Sequence, residues 1–426
     1  MLRTILISAL AATLTANEGR ADTQWVQIQA RSKFERSAIA DLGVSIESVR
    51  SDSVWGFASD QALAKVRAAK IAVLGVFEKS VGRGGHQRFD FPTEDARFHN
   101  YAEVLAALQE IQAKNSDIAK VSSIGKSVEG RDLYAIHFNT TPADLESGTS
   151  AKPGAIYMGN HHAREHVSVE MPLMWAQWLV ANRGDAQVKA LLDSRDIWVI
   201  PMVNPDGAEW DIRTSRYQFW RKNRGDNKDG TYGTDLNRNY GYMWGTGGSS
   251  KDTSDETYMG TAPFSEPETR AIRDFVESHL NAKVLLTFHT YSELILYPWG
   301  HKYDPLENKR DLQVFEKMAK TMASWNRYTP EQSSELYIAS GDTTDWAYGT
   351  HGIFAFTFEL SPSQNEGFGG MGFYPGAKIL DRVFQDNLKP CLYLLDAADN
   401  PYKNVESLPS GGLKNYVEPA VPHWLD

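Results

Sequence analysis

Apolar and polar residues follow a period that changes several times between residues 25 and 78. Alternation with a period of two predicts strands, whereas apolar positions three or four residues apart predict helices. The predicted order is βαββαβ, which is typical of a small ferredoxin-like α+β domain. Strands are predicted at residues 25–30, 44–49, 54–58 and 71–77, and helices at 32–42 and 60–69.

Downstream of residue 100, short apolar runs rich in branched and aromatic residues are interleaved with amphipathic segments. Uniformly apolar strands between helices indicate an α/β sheet that is covered on both faces. Strands are predicted at 156–159, 197–203, 284–288 and 353–358, and helices at 102–114, 169–182, 265–280, 312–326 and 377–398.

Two segments without a clear period bound these regions. Residues 82–88 read GRGGHQR, a glycine-rich and basic stretch that predicts an exposed linker open to proteases. Residues 401–426 are rich in proline, glycine and asparagine and are interpreted as a C-terminal extension. The predicted organisation is therefore a small domain with its linker at 22–88, a large domain at 89–400 and an extension at 401–426.

The N-terminus carries Arg3 and then an apolar stretch at residues 5–14. This stretch is too short to span a bilayer, but it fits the core of a signal peptide. Small residues at Gly19 and Ala21 offer a cleavage position after residue 21. The sequence therefore predicts a signal peptide at 1–21 and a secreted protein, either extracellular or periplasmic.

Composition and charge narrow the possible functions. Hydrophobic residues make up 42% and charged residues 23%, which excludes a disordered, collagenous or coiled-coil chain. The net charge is −10 and no run rich in lysine or arginine occurs, which argues against nucleic-acid and anionic-membrane partners. Because Cys391 is the single cysteine, an intrachain disulfide and a cysteine-rich metal site are excluded.

Charge is distributed unevenly between the two predicted domains. Residues 22–88 carry ten Lys or Arg against seven Asp or Glu, whereas the chain as a whole is acidic. We therefore expect electrostatic attraction between the small domain and the large one.

The segment HHAREH at residues 161–166 follows a predicted buried strand. His162 and Glu165 can converge on one zinc ion, and His289, which follows another buried strand, is the natural third ligand. Three protein ligands with an open fourth position are typical of catalytic zinc sites. The segment also matches HxxEH, which in inverzincins lies on a helix. The preceding Pro153, Gly154 and predicted strand favour a loop instead.

Several further motifs occur in order along the chain. From about residue 91 to residue 400, the sequence resembles the zinc metallocarboxypeptidases of the carboxypeptidase A/B family, most closely the bacterial carboxypeptidase T type. The resemblance implies a three-layer α/β/α sandwich with a mixed sheet, and one Zn²⁺ per chain. Besides HHAREH, the motifs lie at residues 124–131, 204–207, 220–224, 234–239, 254–260, 287–293, 336–346 and 356–360.

The resemblance also implies roles for residues around the zinc. His162, Glu165 and His289 are its expected ligands, and Glu359 is the expected general base. Arg221 is expected to polarise the scissile carbonyl and to stabilise the oxyanion. Two further residues are expected nearby: Asp235 would orient a zinc-bound histidine, and Arg164 would assist in substrate contacts.

Substrate recognition is likewise implied by resemblance. Asn237, Arg238 and Tyr337 match the residues that bind the free carboxylate of a C-terminal residue, which favours trimming of chain ends over internal cleavage. The pocket for the terminal side chain would have Asp342 as its acidic member. We expect broad specificity, with apolar and aromatic residues first and Lys and Arg more slowly. The other expected lining residues are Leu296, Gly300, Ala339 and Thr344.

By position, residues 22–88 correspond to an activation propeptide that inhibits its own enzyme until it is cut, which we expect between Arg83 and Asp90. The implied function is a monomeric, zinc-dependent exopeptidase acting on the C-termini of peptides and proteins. Two alternatives remain: an amidase of the same fold that acts on peptidoglycan or a modified peptide, and a non-catalytic peptide-binding module. The intact carboxylate-binding set argues against the first, and the intact ligands and base argue against the second.

Overall fold

The computed structural model describes residues 23–77, 90–214, 216–366 and 368–405. The predicted signal peptide, linker and residues 406–426 lie outside this part. Within it, the small domain has the predicted βαββαβ order, and its antiparallel sheet has the strand order β2-β3-β1-β4. Its elements are β1 Gln24–Gln29, α1 Lys33–Asp41, β2 Ser45–Val49, β3 Ser53–Ala58, α2 Asp60–Ala68 and β4 Val73–Phe77.

Local sequence signals begin both helices of the small domain. The side chain of Ser32 accepts a hydrogen bond from the backbone of Glu35, and Ser59 accepts one from Ala62. Each serine thereby satisfies one of the free N–H groups at a helix start. Alternate residues of β1 and β3, such as Val26 and Ile28, pack in one apolar cluster with these helices, as the period-two pattern predicts.

The large domain is built on an eight-stranded mixed sheet with the order β11-β10-β12-β9-β7-β8-β6-β5. This confirms the predicted α/β sandwich. Its strands are β5 Ala119–Lys126, β6 Asp132–Phe138, β7 Gly154–Gly159, β8 Asp196–Ile200, β9 Ala282–Ser292, β10 Leu294–Tyr297, β11 Thr329–Gln332 and β12 Phe354–Ser363. Its helices are α3 Tyr101–Lys114, α4 Pro142–Ser147, α5 Val167–Ala181, α6 Ala186–Ser194, α7 Pro205–Asp211, α8 Pro267–Ser278, α9 Lys309–Asn326, α10 Thr343–His351 and α11 Leu380–Ala397.

Helices cover both faces of this sheet. One apolar cluster contains buried residues of α3, α5, α9 and α11, and a second contains residues of α8 and α10 on the other face. The central strands β12, β9, β7 and β8 run parallel to one another. Their carboxyl ends therefore meet at one edge, which is where ligands bind in such sheets.

Some elements differ from the sequence prediction. The strand predicted at 197–203 ends at Ile200, and β9 and β12 run several residues beyond their apolar centres. Strands β5, β6, β10 and β11 are not predicted. Strand β5 lies at the sheet edge with mostly half-buried or exposed residues, so it lacks the continuous apolar run that marks a central strand.

The small domain lies against the carboxyl edge of the large sheet. Arg36 donates hydrogen bonds to the backbone carbonyls of Glu335 and Leu336 at 2.6 and 2.5 Å. On another side, Ser59 donates to Asp255 at 2.6 Å. Two lysines of the small domain also form ion pairs with acidic residues of the large one, in line with the opposite charges of the two parts. Across the described ranges, no helix combines the length and apolarity that a membrane span requires.

Candidate active site

The loop between β7 and α5 carries the HHAREH motif, so this part of the chain is not helical before Val167. Gly159 ends β7, and a side chain there would lie 1.9 Å from the carbonyl oxygen of Ser168. Asn160 follows with a left-handed φ of 61°, and its amide donates to the carbonyl of His162 at 3.1 Å. This tight turn brings His162 and Glu165 onto the carboxyl edge of the sheet.

His162, Glu165 and His289 form one buried cluster. Their candidate ligand atoms all lie within 4.8 Å of one another. Glu165 has its two oxygens 2.7 Å from Nδ1 of His162 and 2.9 Å from Nδ1 of His289, and the two Nδ1 atoms are 3.2 Å apart. One carboxylate and two imidazoles that converge in this way match the donor set of a catalytic zinc site. The three residues therefore fit one zinc ion.

Charge within this cluster favours an ionised Glu165. Burial would raise the pKa of Glu165, but His162 and His289 outweigh that effect and lower it. Burial lowers the pKa of His289, so its ring favours the neutral form that binds metals. The chemistry of the donors is thus a carboxylate beside a neutral imidazole, as zinc requires.

Asp235 connects the metal cluster to Arg221. Its Oδ1 lies 3.1 Å from Nε2 of His162, and its Oδ2 accepts from Arg221 Nε at 3.0 Å and Nη2 at 2.9 Å. Burial would raise the pKa of Asp235, but Arg221 and His162 outweigh it and hold the pKa well below its usual value. A proton on Nε2 of His162 therefore faces Asp235, which leaves Nδ1 free for the metal.

Glu359 lies beside the cluster. It is paired in register with His289 across the parallel strands β12 and β9, so the two side chains leave the same face of the sheet. Burial raises the pKa of Glu359 well above its usual value, and the nearby charges of Glu165 and Glu47 add to the effect. Glu359 lines the same pocket as His162 and Glu165.

Three residues expected to bind a terminal carboxylate line that pocket too. Asn237 and Arg238 lie in a buried single turn after Asp235, and Tyr337 is the third of these lining residues. Arg238 is fixed by hydrogen bonds from Nη1 to the carbonyl of Asn237 at 2.8 Å and from Nε to that of Gly248 at 3.1 Å. The hydroxyl of Tyr337 donates to the carbonyl of Ile46 in the small domain at 3.3 Å.

Asp342 also lines the pocket. As the N-cap of α10, its Oδ1 accepts hydrogen bonds from the backbones of Thr344 and Asp345 and from the Thr344 hydroxyl at 2.7 Å. Its Oδ2 is buried without a hydrogen-bond partner among the described residues. Burial, and then repulsion by Asp345, raises the pKa of Asp342 to about 7. The remaining residues expected in this pocket line it as well: Leu296, Gly300, Ala339 and Thr344.

The small domain contributes lining residues to the pocket that the sequence analysis did not identify. Strand β2 lines it from Ile46 to Val49. The Glu47 carboxylate lies 2.7 Å from Arg164 and 3.8 Å from Arg221. A single glutamate in a half-polar strand carries no distinguishing sequence signal, so only the docking of the two domains shows its position.

Arg164 lies behind buried partners from both domains. It is fully buried and does not line the pocket. Its guanidinium is paired with Glu256 at 2.6 Å as well as with Glu47, and it lies between the rings of Phe57 and Phe373. With the small domain in place, Arg164 therefore contacts the small domain, and its expected contact with substrate stays a prediction.

Comparisons with known proteins agree with this geometry. A family model described as zinc carboxypeptidase matches residues 104–390. A zinc carboxypeptidase of Saccharothrix mutabilis subsp. capreolus is 33% identical over 414 residues, covering 91% of this chain and 93% of that protein. Human carboxypeptidase A1 is 31% identical over 313 residues, covering 72% of each.

A solved structure gives the same fold. The crystal structure of carboxypeptidase A from Helicoverpa armigera superposes with a TM-score of 0.70 at 22% identity, covering 88% of this chain and 97% of that one. The coverage extends beyond the large domain, so the small domain takes part in the likeness. The predicted family, fold and zinc cofactor are thereby confirmed.

Proposed function

Because this chain belongs to the zinc carboxypeptidase family of hydrolases, we propose that it removes single residues from the free C-terminus of peptides and proteins. The observation that carries the proposal is one pocket lined both by two of the zinc ligands, His162 and Glu165, and by the donors Asn237 and Arg238. A site with both can anchor a terminal carboxylate and cleave the bond one residue away.

Zinc held by His162, Glu165 and His289 would supply Lewis acidity, which makes water acidic enough to react near neutral pH. In this proposal the residues of the chain do the rest. Glu359 accepts a proton from the attacking water and passes it to the leaving amine. Burial raises the pKa of Glu359, which makes its carboxylate a stronger proton acceptor than one in water.

Arg221 stabilises the negative charge that develops on the scissile carbonyl oxygen. Burial would lower its pKa, but Asp235 and Glu47 outweigh that effect and raise it, so the guanidinium stays charged. Its two contacts with Asp235 also hold it still, which limits reorganisation during the reaction.

For side-chain preference we propose broad specificity. Leu296, Ala339 and Thr344 favour apolar and aromatic residues, whereas Asp342 accepts Lys and Arg more slowly because its raised pKa keeps it partly protonated.

We also propose that residues 22–88 form an inhibitory propeptide on a monomeric, exported enzyme. Strand β2 blocks the pocket, and Glu47 occupies the place between Arg164 and Arg221. Cleavage between Arg83 and Asp90 would release this domain. We expect the N-terminus of the mature enzyme to lie between residues 84 and 90. N-terminal sequencing of the secreted protein measures it.

Hydrolysis of blocked dipeptides tests the function. After limited trypsin cleavage, the zinc-loaded chain should release Phe from an N-blocked dipeptide, and a chelator should abolish the release reversibly. The same dipeptide with its terminal carboxylate amidated should be cleaved far more slowly. Equal cleavage of both forms would contradict exopeptidase action, and activity in the chelator would contradict the role of the metal.

A further inference from the structure

Two histidines of the HHAREH motif, His161 and His166, have no role in the function proposed above, and His166 pairs with Asp211. His161 is fully buried, and its ring nitrogens face Thr287 and Thr343 rather than the zinc cluster. Thr343 in turn donates two hydrogen bonds to Asn237, which is expected to bind the terminal carboxylate of the substrate. We propose that Thr343 and His161 are positioning residues, which fix the face of the Asn237 amide that meets the terminal carboxylate of the substrate. The proposal rests on the proposed function and deepens it.

The orientation of the Asn237 amide follows from its partners. The atom assigned as Oδ1 lies 3.0 Å from the backbone nitrogen of Thr343 and 2.9 Å from its hydroxyl oxygen. Because a backbone N–H can only donate, the amide atom on this side must be the oxygen. The NH₂ group, which makes no hydrogen bond within the described part of the chain, is left for the pocket that Asn237 lines.

The protons of the neighbouring groups can be assigned in the same way. The Thr343 hydroxyl donates its one proton to Asn237, so its oxygen is free to accept from Nε2 of His161, 3.1 Å away. The same nitrogen lies 2.9 Å from the hydroxyl of Tyr240. Nδ1 of His161 is then an acceptor and lies 3.3 Å from the Thr287 hydroxyl.

A single direction of donation therefore runs from Thr287 through His161 and Thr343 to Asn237. All but Asn237 are fully buried, so water does not compete for these hydrogen bonds. The same bonds occupy both ring nitrogens of His161, which explains why it is not a further metal ligand.

The consequence concerns recognition of a carboxylate. A carboxylate only accepts hydrogen bonds, so it needs the NH₂ face of Asn237. If the amide turned over, its oxygen would repel a carboxylate but would accept a hydrogen bond from a neutral carboxamide. By orienting the Asn237 amide, Thr343 and His161 thus determine whether the pocket prefers a terminal carboxylate or a carboxamide.

Binding of two small ligands tests this inference. We would measure dissociation constants of 3-phenylpropanoate and of 3-phenylpropanamide by calorimetry, on the zinc-loaded full chain after limited trypsin cleavage. Thr343→Val removes the hydroxyl but keeps the shape and the backbone N–H. The backbone N–H still holds the amide oxygen, so the variant loses one of two orienting hydrogen bonds. We therefore expect the Kd of the acid, divided by that of the amide, to rise about two- to fivefold.

Two further variants separate positioning from structural damage. Thr343→Ser keeps the hydroxyl and should restore the preference for the acid. Thr269→Val is a matched control, because the buried Thr269 donates to the amide oxygen of Asn239 at 2.7 Å outside the pocket, and it should leave both constants unchanged.

The outcomes are distinct. An unchanged preference in Thr343→Val, or an equal loss of both ligands, would overturn the positioning role while leaving the proposed function intact. Tight binding of the acid by a wild-type chain that cleaves no dipeptide would overturn the proposed function alone. A wild-type chain that does not prefer the acid would overturn both.

Discussion

At the scale of single residues, Glu359 is the sharpest test of the chemistry. Its pairing with His289 places this carboxylate beside the metal cluster, and it is not one of the three residues that group as candidate ligands. Glu359→Gln keeps the shape but cannot accept a proton, so we expect kcat to fall by about 10²- to 10⁴-fold. The zinc content, measured by atomic absorption, should stay at one per chain.

A matched control is Glu331→Gln, a half-buried glutamate in β11 outside the pocket, which should keep kcat within about twofold of the wild type. If Glu359→Gln retained full activity, or lost its zinc, the assignment of Glu359 as general base would be wrong.

Asp342 gives the pocket a dependence on pH. Burial and Asp345 raise its pKa to about 7, so it is mostly neutral at pH 6 and mostly ionised at pH 8. The side chain of a substrate lysine stays charged throughout this range. We therefore expect kcat/KM for Lys-ended dipeptides, divided by that for Phe-ended ones, to rise roughly tenfold from pH 6 to pH 8.

Taking this ratio cancels titrations that affect both substrates. The Asp342→Asn variant should show a ratio that is flat with pH and lies near the wild-type value at pH 6. A wild-type ratio that falls with rising pH would contradict the role of Asp342.

At the scale of elements, β2 is the strand of the small domain that lines the pocket. Its Glu47 is buried against Arg164, and removing one partner of a buried ion pair is strongly destabilising. Because Arg164 keeps Glu256, only part of this cost is expected in Glu47→Gln. We expect the uncut variant chain to cleave dipeptides about tenfold faster than the uncut wild type, since its small domain is held less tightly.

The same change at an exposed site of the small domain serves as the control. Glu35 is an exposed residue of α1 and does not line the pocket. Glu35→Gln should therefore leave the low activity of the uncut chain unchanged. After trypsin cleavage, all three proteins should reach the same activity. A Glu47→Gln chain that stayed as inactive as the wild type would show that Glu47 does not hold the small domain in place.

At the scale of the whole molecule, the candidate zinc ligands come from segments that are distant in the chain. His162 and Glu165 follow β7 and His289 lies in β9, so a bound ion would cross-link the centre of the sheet. A ligand that binds only the folded chain stabilises it. We expect removal of zinc by a chelator to lower Tm by at least about 5 °C, as measured by calorimetry.

Adding zinc back should restore Tm, whereas His289→Ala should have a low Tm that a chelator does not change. A chelator-insensitive Tm in the wild type would argue against a resident metal in this cluster.

Local patterns in the sequence determined much of the fold. Apolar runs such as residues 284–288 mark central strands because those strands are buried on both faces, and serine caps mark helix starts. Edge and short strands such as β5 and β11 were not predicted, because partly exposed residues do not need a regular apolar pattern.

For the site, the sequence determined the residue types, and the motifs with their family resemblance indicated which of them meet. Only the tertiary structure decided how they meet. It aligned Glu359 with His289, turned the Asn237 amide by way of Thr343, and placed Glu47 of the small domain against Arg164. The physical reason is that such contacts join segments distant in the chain, and their distances and directions follow from packing that no local pattern encodes.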